Sequence, residues 1–406
     1  MFSKRTNWPL SSNRIAKALD RLKKANIPII DLTESNPTRC GFVYPSQRIL
    51  QPLASDKNLR YEPQPQGSLV ARQAISRYYK EQGHEVAVDR IFLTASTSEA
   101  YSYLFRLLAD AGEEVLFPRP SYPLFQFLGD LNDVALNYYP LVYTDHWYID
   151  LPQLEECVQP ATKAVILVNP NNPTGSFIKK DELSVLNRIC QTKNIPIISD
   201  EVFADFAFPG SKDAVSLVNN DAVLTFVLGG LSKTLLLPQM KLSWIIVSGP
   251  EELAKEACQR LEMIADTYLS VNTPVQNAVA GWLSRKEEFQ APVKQRTLDN
   301  LRFLEEAVKT TECQLLNPEG GWYAVIWIPL PKISEEEFIL QLLEKEHVFV
   351  HPGYFFDFEQ EGFLVVSLLP AADIFKEGIR RILQRIARGI LNLFLSAVVI
   401  LQIRAL

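Results

Sequence analysis

Short apolar runs recur through the middle of the chain, each bounded by turn formers or by an amphipathic stretch. Ile91 to Thr94, Glu114 to Phe117, Lys163 to Val168, Ile195 to Ser199, Val223 to Leu228 and Trp244 to Val247 all carry this pattern. Runs so short, mainly apolar and bounded by breakers, read as buried strands. Between them lie helical patterns such as Asp181 to Cys190, which follows the breaker Asn172-Pro173-Thr174-Gly175. Strand, helix, strand in this order gives an α/β fold, a mostly parallel sheet covered on both faces. Such a sheet lines up the carboxyl ends of its strands along one edge, where open α/β sheets bind their ligands.

A second pattern follows. A long helical stretch from about Arg285 to Thr310 leads to a strand around Tyr323 to Ile328 and a helix around Glu335 to Glu344. Strands near His347 and Phe363 and a helix over Asp373 to Arg388 complete it. This unit is α+β and smaller. The chain of 406 residues is longer than one hydrophobic core usually organises, which fits two lobes. The expected division is an N-terminal segment 1–45 that joins the small domain, a large domain 46–284, the small domain 285–388, and a tail 389–406.

A net charge of -6 gives no reason to expect nucleic acid or an anionic membrane as partner. The cysteines Cys40, Cys157, Cys190, Cys258 and Cys313 are odd in number and scattered, as expected of reduced thiols in a cytoplasmic protein. Only 4 histidines occur, none in a metal-ligating spacing, so no metal site is expected. Met1-Phe2-Ser3-Lys4-Arg5 opens no secretory signal. The tail is mostly apolar but is interrupted by Asn392, Ser396, Gln402 and Arg404 and is short for a membrane span, so it reads as a packed or disordered extension rather than an anchor.

The chemistry sits where the runs end. Lys233, in Gly229-Gly230-Leu231-Ser232-Lys233-Thr234, follows a strand and stands beside glycines and a serine. A lysine so placed can form a Schiff base with an aldehyde cofactor, although most lysines are solvated surface charges. Ser96, Thr97 and Ser98 follow Ile91 to Thr94 and open a helix. Backbone N–H groups and hydroxyls at a helix start cradle a phosphate, although the same residues serve as a plain cap. Asp200 ends another strand, and Asn172 lies in a run that is good turn chemistry on its own.

In that order and spacing these segments resemble pyridoxal-phosphate (PLP) aminotransferases of fold type I, class I/II, from about Leu32 to Ala387. The resemblance implies a large domain with a mostly parallel seven-stranded sheet, a smaller α+β domain and a homodimer with sites at the subunit interface. It implies that Lys233 holds PLP, and that Ser96, Thr97 and Ser98, with Lys241, hold its phosphate. Asp200 keeps the pyridine nitrogen protonated, Asn172 donates to the phenolic oxygen, and Tyr122 stacks on the ring. Gly230 and Ser232 flank the lysine, and Tyr61 reaches the partner subunit's phosphate. The implied reaction moves an amino group from an amino acid to a 2-oxo acid by ping-pong steps. Elimination, decarboxylation or amine transamination on the same scaffold are the alternatives, with a non-catalytic PLP-binding module as the rival outside catalysis.

Three positions depart from the family pattern. Phe203 stands where a tyrosine usually donates to the phenolic oxygen, and Lys241 where an arginine clamps the phosphate. Val365 stands where an arginine pairs with the substrate carboxylate, and no lysine or arginine lies between His351 and Lys376. The substitute cation is expected at Arg39, in Glu34-Ser35-Asn36-Pro37-Thr38-Arg39, with Asn36 beside it and His351 as the alternative.

Overall fold

The computed structural model describes residues 1–211, 214–330 and 333–403, with side chains through residue 389. The chain divides into two compact units. The first comprises Met1–Asn7, Phe42–Pro292 and Glu319–Gly321, the second Trp8–Gly41, Val293–Pro318 and Trp322–Leu406. Met1–Asn7 therefore part company with residues 8–41: Arg5 forms an ion pair with Asp133 in the first unit.

The first unit is built on strands β1 (Ile91–Thr94), β2 (Glu114–Arg119), β3 (Ala135–Tyr143), β4 (Trp147–Ile149), β5 (Thr162–Val168), β6 (Ile197–Asp200), β7 (Thr225–Gly230) and β8 (Ser243–Ser248). They form one 8-stranded sheet in the order β1-β8-β7-β6-β5-β2-β3-β4. The strands β7, β6, β5, β2 and β3 are mutually parallel; β8 and the edge strand β4 run against their neighbours.

Each apolar run in the sequence became a strand, shifted by no more than two residues. The sheet has one strand beyond the expected seven, because β4 folds back on β3 as a hairpin pairing Tyr143 with Trp147. β3 itself was not legible as a run. It carries Pro140 and Asn137, and of its residues only Tyr139 is buried. A half-exposed strand near a sheet edge tolerates proline and loses the continuous apolar pattern.

Alternate residues of the central strands separate to the two faces, as the pleat requires. Phe92, Ile166, Ile198, Phe226, Leu228, Ile245 and Val247 pack with Tyr101, Leu104 and Phe105 of the helix Thr97–Leu108 and with Leu261 of the helix Glu251–Tyr268. Trp244, on the opposite face, is fully buried and donates from Nε1 to the Tyr79 hydroxyl at 3.0 Å. Its indole lies over Gly229: a Cβ there would stand 2.4 Å from Nε1. Gly229→Ala is therefore expected to cost about 1–3 kcal/mol, because the ring has no void to move into. A urea unfolding midpoint equal to that of the unaltered protein would contradict this packing.

The second unit contains a 4-stranded antiparallel sheet of β9 (Gln314–Leu316), β10 (Tyr323–Trp327), β11 (His351–Pro352) and β12 (Phe363–Ser367), in the order β9-β10-β12-β11. A two-residue parallel pair joins Ile30–Asp31 to Val348–Phe349. The buried Glu335 carboxylate fixes the turn ahead of β12 by accepting from the backbone N–H groups of Tyr354, Gly362 and Phe363, at 3.2, 2.8 and 2.9 Å. The last helix runs Ala372–Ile403, beyond the expected end at Arg388. The side chains of the apolar tail, from residue 390 on, lie outside the described residues. Among the described residues no helix is long and apolar enough to cross a membrane.

Candidate active site

The strand registers bring most of the sequence-predicted residues to one edge of the first unit's sheet. Val168, Asp200 and Leu228 lie side by side at the carboxyl ends of β5, β6 and β7. Gly230 at the end of β7 faces Ser243 at the start of β8, which faces Thr94 at the end of β1. Adjacent strands are about 4.8 Å apart, so the segments that leave β5, β6 and β7 emerge within roughly 10 Å of one another.

Lys233 lies in the single helical turn Leu231–Thr234 that follows β7. That turn begins abruptly because Gly230 lets the backbone press against β8: a Cβ at Gly230 would stand 2.4 Å from Ser243 Oγ. Ser232 and Lys233 are partly buried, and the Lys233 ammonium stands 5.2 Å from the centre of the Phe203 ring. Asp200 is buried, with Oδ1 accepting from the Val202 N–H at 3.2 Å and Oδ2 from the Tyr101 hydroxyl at 3.1 Å. Burial pushes the Asp200 carboxyl up to about 6, against the lowering pull of those two donors and of Lys233. Burial pushes Lys233 down to about 8, against the opposing attraction of Asp200. That depression raises the fraction of neutral amine at pH 7 roughly 300-fold over an ordinary lysine. It turns a surface-type cation into a competent nucleophile.

Ser96 caps the helix Thr97–Leu108, its Oγ accepting from the Glu99 N–H at 3.2 Å. The N–H groups of Thr97 and Ser98 open the helix and have no intrahelical acceptor. Asn172 is buried in the turn after β5, and its Oδ1 has no partner among the described residues. Tyr122, after β2, is 42% exposed, and Lys241 is exposed at a left-handed φ of 52° just before β8. Tyr61 is 78% exposed and lines a shallow surface cleft with Gly67, Tyr103 and Leu269.

Arg39 and Asn36 belong to the second unit. Asn36 Oδ1 caps a short turn, accepting from the Thr38 N–H at 3.1 Å and from the Thr38 hydroxyl at 2.8 Å. The Arg39 side chain is 74% exposed and meets Glu34 at 3.9 Å. Val365 is fully buried in β12, paired with Val325 on one side and His351 on the other.

Comparison with known proteins identifies the family. The model of the aminotransferase class I and II family matches residues 27–386. The chain belongs to that family. The glutamate-pyruvate aminotransferase AlaA of Haemophilus influenzae is 26% identical over 373 residues, which are 89% of this chain and 91% of that protein. The tyrosine aminotransferase of Mus musculus is 27% identical over 374 residues, covering 88% and 82% of the two chains. An alanine aminotransferase structure from Pyrococcus furiosus matches at a TM-score of 0.87 and 24% identity, covering 96% of this chain and 100% of that one, which shows the fold. These named relatives are aminotransferases, which favours transamination over elimination or decarboxylation. Aminotransferases of this family act on amino acids and 2-oxo acids.

The aminotransferase's own residues fit the PLP its family uses. The unused Asn172 amide oxygen marks buried hydrogen-bonding capacity at the sheet edge, where an Asn side chain can present either its oxygen or its nitrogen to a ligand. Two further groups are an acid raised by burial at the end of β6 and a lysine lowered by burial in the turn that follows the adjacent β7, close enough to feel each other's charge. Perturbed groups of this kind cluster at functional sites.

Tyr101 had no place among the sequence-predicted site residues. A tyrosine three residues before Leu104 on an apolar helix face reads as core, and only the distance to Asp200 marks it as something more.

Proposed function

We propose that this aminotransferase carries PLP on Lys233 and exchanges the amino group of an amino acid for the oxygen of a 2-oxo acid. The observation that carries the reading is the Lys233–Asp200 pair, a lysine brought to about 8 beside a buried carboxylate on the next strand. When bound, PLP supplies an aldehyde that exchanges amino groups and a ring that accepts electrons from the substrate's Cα. Lys233 Nζ would hold the aldehyde and, when free, would act as the base that moves the proton at the substrate's Cα. Asp200 keeps the ring nitrogen protonated, and Asn172 donates to the phenolic oxygen. Tyr122 covers the ring face. The N–H groups and hydroxyls of Ser96, Thr97 and Ser98 take the phosphate, with Lys241 adding a point charge rather than a guanidinium fork. Gly230 and Ser232 shape the turn that aims Lys233.

The exposed Tyr61 supports a homodimer in which this side chain reaches the partner subunit's phosphate. Leu59 and Leu269, 86% and 36% exposed, supply apolar surface for the same contact. A cytoplasmic location is part of the same reading.

Substrate carboxylate recognition is assigned to Arg39. His351 is the weaker choice, because burial pushes its imidazole down to about 4 and leaves it neutral at physiological pH. The exposed Arg39 guanidinium is held only loosely by Glu34 and keeps donors for a carboxylate.

The test is a half-reaction. With an amino acid and no acceptor, the protein should release about one oxo acid per site and then stop, because the amino group stays behind. Continuous release of ammonia or carbon dioxide would sink the transaminase reading in favour of elimination or decarboxylation.

Phe203 gives a further prediction. Its ring places no hydroxyl near Lys233 Nζ, so the cofactor's phenolic oxygen lacks one donor there. Phe203→Tyr should move the pH of the cofactor's visible absorbance transition downward, since a donor to the anionic oxygen lowers the proton affinity of the conjugated system. An unmoved transition would place residue 203 away from the ring.

A further inference from the structure

Asp200 is held by more than its own strand. The Tyr101 hydroxyl reaches Oδ2 from the helix Thr97–Leu108 at 3.1 Å, while the Val202 N–H holds Oδ1. Tyr101 is 2% exposed, and its ring is fixed edge-on against Phe125, with centroids 4.9 Å apart at 88°, and against Phe105 at 6.0 Å. A buried tyrosine hydroxyl needs a partner, and a phenol that donates to a carboxylate makes a charge-assisted bond. One donor on each oxygen fixes the rotation of the carboxylate about its Cβ–Cγ bond and leaves lone pairs on both oxygens for a ligand.

We propose that Tyr101 is a positioning residue: it orients Asp200 toward the cofactor's ring nitrogen and keeps the carboxylate ionised. The proposal rests on the reading that Asp200 meets that nitrogen. The same helix begins with the Ser96-Thr97-Ser98 turn, so one rigid element carries the phosphate cradle and, one turn later, the donor that aims the acid. Phosphate and ring nitrogen are thereby registered against each other by a single helix. The equally buried Tyr139 hydroxyl donates to the Ile166 carbonyl at 2.7 Å instead.

The charged groups around Asp200 define what the hydroxyl contributes. The positive charge of Lys233 favours the anionic form of Asp200, and the negative charge of the neighbouring Glu201 disfavours it. The Glu201 carboxylate is itself held by the Ser199 and Ser216 hydroxyls and the Leu217 N–H, at 2.9, 2.6 and 2.8 Å. Loss of the Tyr101 donor removes a bond that is stronger to the anionic form, so Asp200 is protonated at higher pH.

The experiment measures the dissociation constant of PLP as a function of pH for the full-length protein, Tyr101→Phe and Tyr139→Phe. Tyr101→Phe deletes one oxygen and keeps the ring. Its PLP affinity at pH 7.5 should fall roughly tenfold, and the acid limb of its binding profile should move up by about one pH unit. Tyr139→Phe, which loses an equally buried hydroxyl with no contact to Asp200, should leave the acid limb in place and so exclude a general effect of core damage. An acid limb in Tyr101→Phe that coincides with that of the unaltered protein, or equal shifts in both variants, would overturn the proposal. An unaltered protein that takes up no PLP would overturn the underlying reading, and the proposal with it. The two failures are distinguished by the first titration.

Discussion

Lys233→Ala is expected to reduce transamination by roughly 10⁴-fold or more, because one substitution removes both the group that holds the cofactor and the base that moves the Cα proton. The loss should fall on kcat as well as on kcat/KM, and an added small primary amine should restore only part of it. The same variant should change how stability depends on pH. Lys233 opposes the rise that burial imposes on Asp200, so without it the Asp200 carboxyl moves above about 6. An acid whose folded-state pKa is raised contributes stability that is present below its unfolded pKa and is lost as pH rises through the folded one. Cofactor-free Lys233→Ala should therefore become less stable, relative to its acidic-pH value, between about pH 4 and a point above 6. A flat melting profile over that window, together with intact activity, would remove Lys233 from the site.

Arg39→Ala is expected to raise KM for amino acids by roughly 10–100-fold, the worth of a charge-assisted pair with a carboxylate, and to leave simple amines nearly unaffected. The visible spectrum of the bound cofactor should not change. The contrast between substrate classes is the informative part. Equal effects on both would exclude Arg39 as the carboxylate clamp. Good turnover of amines by the unaltered protein would instead fit the missing arginine at Val365, which is fully buried and offers no charge.

The layered fold was legible because strands covered on both faces must be apolar on both, so Ile91 to Thr94 and Lys163 to Val168 stand out in sequence. β3 and β4 did not, since a partly exposed edge hairpin with Pro140 obeys no such requirement. The site was legible to the extent that loops after strands carry unusual residue sets, as with Lys233, Asp200 and Asn172. Tyr101 was hidden for the opposite reason. Its ring satisfies the helix's apolar periodicity, and its hydroxyl reaches Asp200 across a separation of 99 residues that local patterns cannot express. The depressed Lys233 was likewise invisible, because burial in the folded protein sets it, against the pull of a neighbouring strand's carboxylate, rather than its own flanking residues.

The central claim is that Lys233 is the attachment point, and chemical trapping tests it most directly. Protein incubated with PLP is reduced with borohydride, digested and mapped by mass spectrometry. The account predicts a single phosphopyridoxyl label on the peptide containing Gly229-Gly230-Leu231-Ser232-Lys233-Thr234, with none on that peptide in Lys233→Ala. A stoichiometric label on any other lysine, or no label in protein that transaminates, would contradict it.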